Sequence, residues 1–360
     1  MAQSACYYMS EIKVRINGRG NAWPVVLGQE HSFYNRNNLE DLANASCSIL
    51  KSKSTKPTKT EVDWDLMIDA GHGAVQYLLK NFNRIPEAVL ITHPHIDHTL
   101  GLDWIVQSYY KLNKRRYPVY TTILCWKKIV AAFPQLDELV EFKELIPFQE
   151  RMVDEVDRVK VTPFPVYHGK SADGAAMLFF NIEEQNEKRR ILFTGDILCP
   201  LLRDEDYITL NNIDLVVADA NNRYPYPDSN HWSILKGLNN EQSRFLEEFI
   251  ERSTIGTFLY PHLKNKISDN YCRCFDYFLN QEFHPNRFHF TIESFIKSIN
   301  PQKVAFLHYS GDEDEKYYNE DILKDSELID WIRHVFSEMD MQTMFYVPYV
   351  SQHIDFSTTT

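Results

Sequence analysis

Short apolar runs separated by polar turns recur along this chain, and their composition predicts strands. The clearest are IKVRIN (12–17), WDLMIDA (64–70), AVLIT (88–92), VYTTILC (119–125), VKVTPFPV (159–166), AMLFFNI (176–182), RILFTG (190–195), DLVVADA (214–220), KVAFLHY (303–309) and TMFYVPY (343–349). Between them lie stretches with apolar residues at helical spacing. GLDWIVQSYYKL (101–112) puts Leu102, Ile105, Tyr109 and Leu112 on one face. NNEQSRFLEEFIER (239–252) and DSELIDWIRHVFSEM (325–339) show similar spacing, each opened by an Asn or Asp suited to cap a helix. Strands alternating with helices predict an α/β protein with sheets in the core and helices outside. Functional residues are then expected in loops just after strands.

No repeat or long linker divides the 360 residues, so one domain over 1–360 is expected. The long interval 235–302 reads as an insertion of helices and loops, suited to a lid or to the surface of a homodimer. KSKSTKPTK (51–59) reads as a hairpin tip or loop, and EEQNEKRR (183–190) as a hairpin tip. A formal net charge of -12 argues against a long nucleic-acid partner, which is held by many cation–phosphate contacts. The two basic stretches, 51–59 and KLNKRR (111–116), are explained as well by a solvated loop and a helix end. Cys6, Cys47, Cys125, Cys199, Cys272 and Cys274 are scattered and form no C-x-x-C pair, which suits reduced thiols. No signal-peptide pattern opens the sequence and no apolar run is long enough to span a membrane, so a cytoplasmic protein is expected.

The densest chemistry lies in LITHPHIDHTLGLDW (90–104). His93 and His95 flank a proline at a strand end, where residues two apart project to one side. Asp97 and His98 follow at once and can face a second cation beside the first. Imidazole with a hard carboxylate suits a catalytic site better than a sulfur-rich structural one.

This H-x-H-x-D-H pattern after a strand resembles the hallmark of the metallo-β-lactamase superfamily. Other motifs similar to that family's follow in order: Asp69 in LMIDAGHG, His168 in PVYHGKSADG, Asp196 in ILFTGD and His308 in VAFLHYSGDED. The resemblance implies a four-layered αββα sandwich. It also implies that His93, His95 and His168 hold one metal, that Asp97, His98 and His308 hold a second, and that Asp196 bridges them. Asp69 would brace the histidine loop without being a ligand. Two divalent ions, Zn²⁺ by default with Mn²⁺ or Fe²⁺ as alternatives, would activate a bridging hydroxide that Asp97 helps to orient. His72 stands close enough in sequence to belong to the surround. His262, His284, His289, His334 and His353 read as structural.

The ligand set and the N-terminal stretch resemble the phosphodiesterase branch, which includes phosphoribosyl cyclic phosphodiesterases and PqqB-like proteins. In LGQEHSFYNR (27–36) His31 is present but the cysteines of that branch's accessory zinc loop are not, so no accessory zinc is expected. Asn230-His231 stands where that branch carries a His-bearing element. His231 is the candidate general acid or phosphate ligand. The alternative is a loop histidine capping a helix that opens near Ser233. Tyr224, Tyr226 and Trp232 suit either base stacking or a packed aromatic lid. A metal-dependent hydrolase of a small, nucleotide-like phosphodiester, cyclic ones included, is the expected function. A lactonase or ester hydrolase, a tRNA 3′-processing endonuclease and a non-hydrolytic PqqB-like metal protein remain as alternatives. The endonuclease reading lacks a basic clamping arm between His168 and Asp196.

Overall fold

The computed structural model describes residues 11–52, 61–169, 171–184, 187–227, 229–239, 289–339 and 341–356. The first part of the chain builds one sheet from β1 (Glu11–Gly18), β2 (Ser46–Ser52), β3 (Val62–Ile68), β4 (Ala88–Leu90), β5 (Tyr117–Thr121) and β6 (Val140–Glu144). The second part builds another from β7 (Arg151–Met152), β8 (Val159–Tyr167), β9 (Ala176–Glu184), β10 (Glu187–Phe193), β11 (Cys199–Pro200), β12 (Leu215–Asp219), β13 (Lys303–Leu307) and β14 (Met344–Tyr346). A last strand, β15 (His353–Asp355), returns to pair antiparallel with β1. The spatial orders are β15-β1-β2-β3-β4-β5-β6 and β11-β8-β9-β10-β12-β13-β14, with β7 beside β8.

The inner faces of the two sheets share one core. Val14, Ile16, Leu66 and Ile68 of the first meet Val161, Phe180, Ile191 and Leu215 of the second. Helices α1 (Ala74–Asn81), α2 (Ile96–Thr99), α3 (Leu102–Asn113), α4 (Ile123–Ala132) and α5 (Leu136–Leu139) belong to the first half. Val75, Leu78, Ile105, Val106 and Ile129 from this group cover Met67, Val89 and Val119 on the outer face of the first sheet. Helices α6 (Asp204–Leu210), α7 (Ile292–Ile299), α8 (Asp312–Tyr318) and α9 (Asp325–Ser337) follow in the second half. Leu210, Phe295, Ile332 and Phe336 cover Leu192, Val216 and Phe306 on its outer face. The result is the expected αββα sandwich. Each fully buried aliphatic or Phe side chain contributes about 1.5–3 kcal/mol.

Several expectations shift for physical reasons. VYTTILC ends as a strand at Thr121, because the Thr122 hydroxyl accepts from the Cys125 N–H and opens α4. A short apolar run reads alike for a strand and a buried helix turn. On α3 the buried face is Leu102, Ile105 and Val106, while Leu112 is 76% exposed. In β1 the polar Arg15 is fully buried. It pairs with Asp65 at 2.7 Å, and its guanidinium lies over the Phe82 ring at the end of α1. Strands β2, β6 and β15 were not anticipated as separate elements. The hairpin expected at 183–190 is present, with Glu184 opposite Glu187. The 239–252 helix, most of the 235–302 insertion, the 51–59 tip, Cys6, Cys272, Cys274, His262 and His284 lie outside the described residues. Cys47, Cys125 and Cys199 are free and buried. Among the described residues no helix is long and apolar enough to cross a membrane.

The turn after β3 packs directly on the histidine loop. A methyl group placed on Gly71 would lie 1.7 Å from the Asp97 carbonyl oxygen. Overpacking of this kind costs typically about 1–3 kcal/mol. Gly71→Ala is therefore expected to lower the unfolding free energy by an amount in that range or above, read as a lower urea midpoint. An unchanged midpoint would show that the turn has room the structure denies it.

Candidate metal centre

The site lies where strands of both sheets end. Asp69 follows β3, His93 and His95 follow β4, His168 follows β8, Asp196 follows β10, Asp219 closes β12 and His308 follows β13. In the first sheet β3, β4 and β5 run parallel, and in the second β10, β12 and β13 do. Parallel strands deliver their following loops to one edge, so residues far apart in sequence meet there.

Asp196 is the centre of the cluster. Its Oδ2 lies 3.7 Å from His93 Nε2, 3.7 Å from His168 Nε2 and 3.3 Å from His308 Nε2, and its Oδ1 lies 3.3 Å from His98 Nε2. Asp97 Oδ2 is 3.4 Å from His98 Nε2 and 3.7 Å from His308 Nε2. Donor atoms of His93, His95, His168 and Asp196 fall within 4.8 Å of one another, as do those of Asp97, His98, Asp196 and His308. All seven residues named from the sequence are thus brought together, in the two groups expected and sharing Asp196.

The outward nitrogens of these rings are tied to the protein. Thr92 Oγ1 donates to Asp69 Oδ2 at 2.7 Å, so it accepts from His93 Nδ1–H at 3.1 Å. His98 Nδ1–H donates to Asp69 at 2.8 Å, and His168 Nδ1–H to the Asn230 carbonyl at 2.7 Å. His95 uses Nε2 toward Ser171 Oγ at 2.9 Å and turns Nδ1 inward, 3.2 Å from His168 Nε2. Three of the inward nitrogens are left bare among the described residues. His93 Nε2, His98 Nε2 and His308 Nε2 are buried without a hydrogen-bond partner. Buried polar atoms are almost always satisfied. Bare imidazole nitrogens converging with two carboxylates fit divalent cations by number and type of donor.

Charge follows the same division. Burial and the neighbouring imidazoles push His93 and His168 well below the usual histidine range. Burial also disfavours a charged His98, but Asp196, Asp69 and Asp97 outweigh it and hold that ring well above the usual range. Burial opposes ionisation of Asp196, yet His308, His98 and His93 keep it well below the usual carboxylate range.

Asp69 is a brace, as expected. It adopts φ 57°, and its carboxylate accepts from the Thr92 N–H, the Thr92 hydroxyl and His98 Nδ1–H. His308 also has a positive φ, 66°. Left-handed backbone at such residues costs about 1–3 kcal/mol each and persists only where surrounding contacts enforce it. For Asp69 these three hydrogen bonds do so.

His231 stands at the rim, the most exposed of these imidazoles after His95. Its Nδ1 pairs with Asp219 Oδ2 at 2.9 Å and lies 4.0 Å from Asp196. Burial works against its charge, but Asp219, Asp196 and Asp97 hold its pKa up at about 9. The described residues 229–239 contain no helix, so capping one near Ser233 is not its role. Trp232 and Tyr224 are buried in the outer core and unable to stack on a ligand. Tyr226 is half-buried and stacks on Tyr317. His72 is exposed and its backbone exchanges hydrogen bonds with Asn44, which is not one of the clustered residues. His31 pairs with Asp312 and His289 packs on Tyr207 and Phe295.

Asp219 was missed in the sequence. Its two oxygens face two rings, Oδ2 bonding His231 and Oδ1 lying 3.6 Å from His308 Nδ1. The available signal was an aspartate closing the apolar run DLVVADA, as Asp69 and Asp196 close theirs. Ser171 and the Asn230 carbonyl carried no signal of their own.

A sequence model of the family described as "Beta-lactamase superfamily domain" matches residues 65–250. The chain belongs to the metallo-β-lactamase superfamily. Solved structures repeat the fold. A diphosphatase from the PhnP family superposes with a TM-score of 0.57 at 14% identity, over 96% of this chain and 98% of that one. A metallo-β-lactamase fold protein from Bacillus subtilis gives 0.50 at 11% identity, over 96% and 99%. A long-form RNase Z from yeast gives 0.52 at 12% identity, over 99% of this chain and 43% of that one. At these identities the likeness carries the fold alone. No curated protein matches the chain in sequence.

Partners that orient metal-binding histidines typically change metal affinity about 10–100-fold. Asp69→Asn is expected to weaken Zn²⁺ binding by that factor in competition with a chromophoric chelator. Equal affinity in the two proteins would remove Asp69 from its bracing role.

Proposed function

We propose that this superfamily member is a phosphodiester hydrolase that uses two divalent cations and acts on small, nucleotide-like phosphodiesters, cyclic ones included. The observation that carries this reading is the set of bare, buried imidazole nitrogens around Asp196, with the His231–Asp219 pair at its rim. His93, His95, His168 and Asp196 would hold one cation, and Asp97, His98, His308 and Asp196 the other. Zn²⁺ fits this nitrogen and oxygen donor set, and Mn²⁺ and Fe²⁺ fit it as well. Cations in such a pair supply Lewis acidity and lower the pKa of a water molecule toward neutrality.

The chain's own residues then have separable tasks. Asp97 is buried among the ligands and can orient the attacking water. His231 gives its Nδ1–H to Asp219, which leaves Nε2 as the atom that passes a proton to a departing alkoxide. Two of the three carboxylates that charge His231 are the ones that would bind cations. The bond to Asp219 is the share that remains to hold the ring in place.

The chain between His168 and Asp196 supports a small substrate. Strands β9 and β10 of the second sheet fill most of that interval. A long RNA-clamping arm has no place there, and the net charge of -12 adds no attraction for a polyanion. A lactonase would use the same ligands, and the rates on a lactone and on a phosphodiester separate the two readings.

General acid catalysis contributes about 10²–10⁴-fold. His231→Ala is expected to lower turnover of 2′,3′-cyclic AMP by a factor in that range, with metal content unchanged. Bis-p-nitrophenyl phosphate should lose less, because nitrophenolate leaves without a proton. Equal losses on both substrates, or loss of metal, would make His231 a ligand rather than an acid. Faster turnover of a lactone than of either phosphodiester would overturn the reaction class.

A further inference from the structure

His95 differs from the other ligand candidates in two respects. It turns Nδ1 toward the cluster, where His93, His98, His168 and His308 turn Nε2. It is also half-buried, while those four are buried. A neutral imidazole can offer a lone pair on one ring nitrogen only when the other carries the proton. With Nδ1 facing inward, Nε2 must therefore be the N–H. That N–H donates to Ser171 Oγ at 2.9 Å. The other tautomer would point an N–H at the cation.

Ser171 is exposed, in the turn 171–174 ahead of β9. Contacts on two sides hold this turn in place. Lys128 Nζ, from α4, donates to the Ser171 carbonyl at 2.8 Å and lies 3.2 Å from Asp173 Oδ2. Thr122 Oγ1, which opens α4, donates to the Gly174 carbonyl at 2.7 Å. A methyl group on Gly174 would lie 2.6 Å from that hydroxyl oxygen and 2.6 Å from the Cys125 nitrogen, so the turn rests directly on α4. At its far end the Ala176 N–H donates to the Thr92 carbonyl at 2.9 Å, one residue before His93. The partner of the most exposed ligand candidate is thus set by a helix outside the cluster.

We propose that Ser171 is the positioning residue of His95 and that Lys128 sets Ser171, so that the two govern the affinity of one cation of the pair. That cation is the one among His93, His95, His168 and Asp196. This rests on the two-cation reading above and names what tunes it. In the other group, His98 and His308 are tied to Asp69 and Asn221 instead, and neither tie involves this turn.

The test is titration of the metal-free protein with Zn²⁺ against a chromophoric chelator, for the wild type and the variants Ser171→Ala, Ser171→Thr and Lys128→Met. Groups that orient a metal-binding histidine typically change affinity about 10–100-fold. Water reaches this exposed position and replaces part of what is lost, so Ser171→Ala should weaken one ion by about tenfold and leave the other unchanged. Ser171→Thr keeps the hydroxyl and should bind both ions as the wild type does. Lys128→Met should weaken the same ion by a smaller factor. Because Ser171 is exposed, its variants should share the wild-type urea midpoint. Wild-type affinity for both ions in Ser171→Ala, equal weakening of both, or failure of Ser171→Thr to restore binding overturns the role of Ser171 and leaves the two-cation centre standing. Unchanged binding in Lys128→Met overturns the role of Lys128. A wild type that binds no Zn²⁺ overturns the proposal and the two-cation reading together.

Discussion

Gathering imidazoles and three carboxylates around Asp196 in a buried pocket is costly unless something satisfies their inward-facing atoms. Each ring of the ligand candidates has one nitrogen occupied by Thr92, Ser171, Asp69, Asn230 or Asn221, and the other nitrogen aimed at its neighbours. Rings so fixed can neither turn away nor recruit a protein donor. Divalent cations would resolve the conflict, and without them burial and the neighbouring groups drive the rings to opposite charge states. His93 and His168 are driven toward neutrality while His98 is driven toward charge.

The rest of the fold can be understood from that centre. Two sheets are needed because Asp69 and the histidine loop come from the first, whereas His168, Asp196, Asp219 and His308 come from the second. Their shared apolar core sets the distance between the two sets. Close backbone approach then sets the fine position, as where Gly71 meets Asp97 and where Gly195 meets Thr92. Asp69 and His308 keep left-handed backbone there, with their side chains directed at the cluster's other residues.

Much of this was legible in the sequence because the histidine loop is local. Spacing alone places His93, His95, Asp97 and His98 in one turn. His168, Asp196 and His308 are different, since nothing local distinguishes them from other polar residues after strands. Their order relative to the loop, through the family resemblance, brought them in. Asp219 stayed hidden because its partners lie 12 and 89 residues away and its own run looks like any strand end. Thr122 misled because a short continuous apolar run reads alike for a strand and for a buried helix turn. Trp232 and Tyr224 were read as a lid or a base platform, and packing against the outer helices settled them as core.

The most direct test of the account is the metal content of the purified protein, measured by mass spectrometry after exposure to Zn²⁺ or Mn²⁺ and removal of excess. The wild type should hold two ions per chain, one among His93, His95, His168 and Asp196 and one among Asp97, His98, Asp196 and His308, the first two of the three donor groups that share Asp196. Asp196→Ala should hold fewer, because it removes a donor from both groups. A wild-type protein that retains no metal after this treatment would contradict the account at its centre.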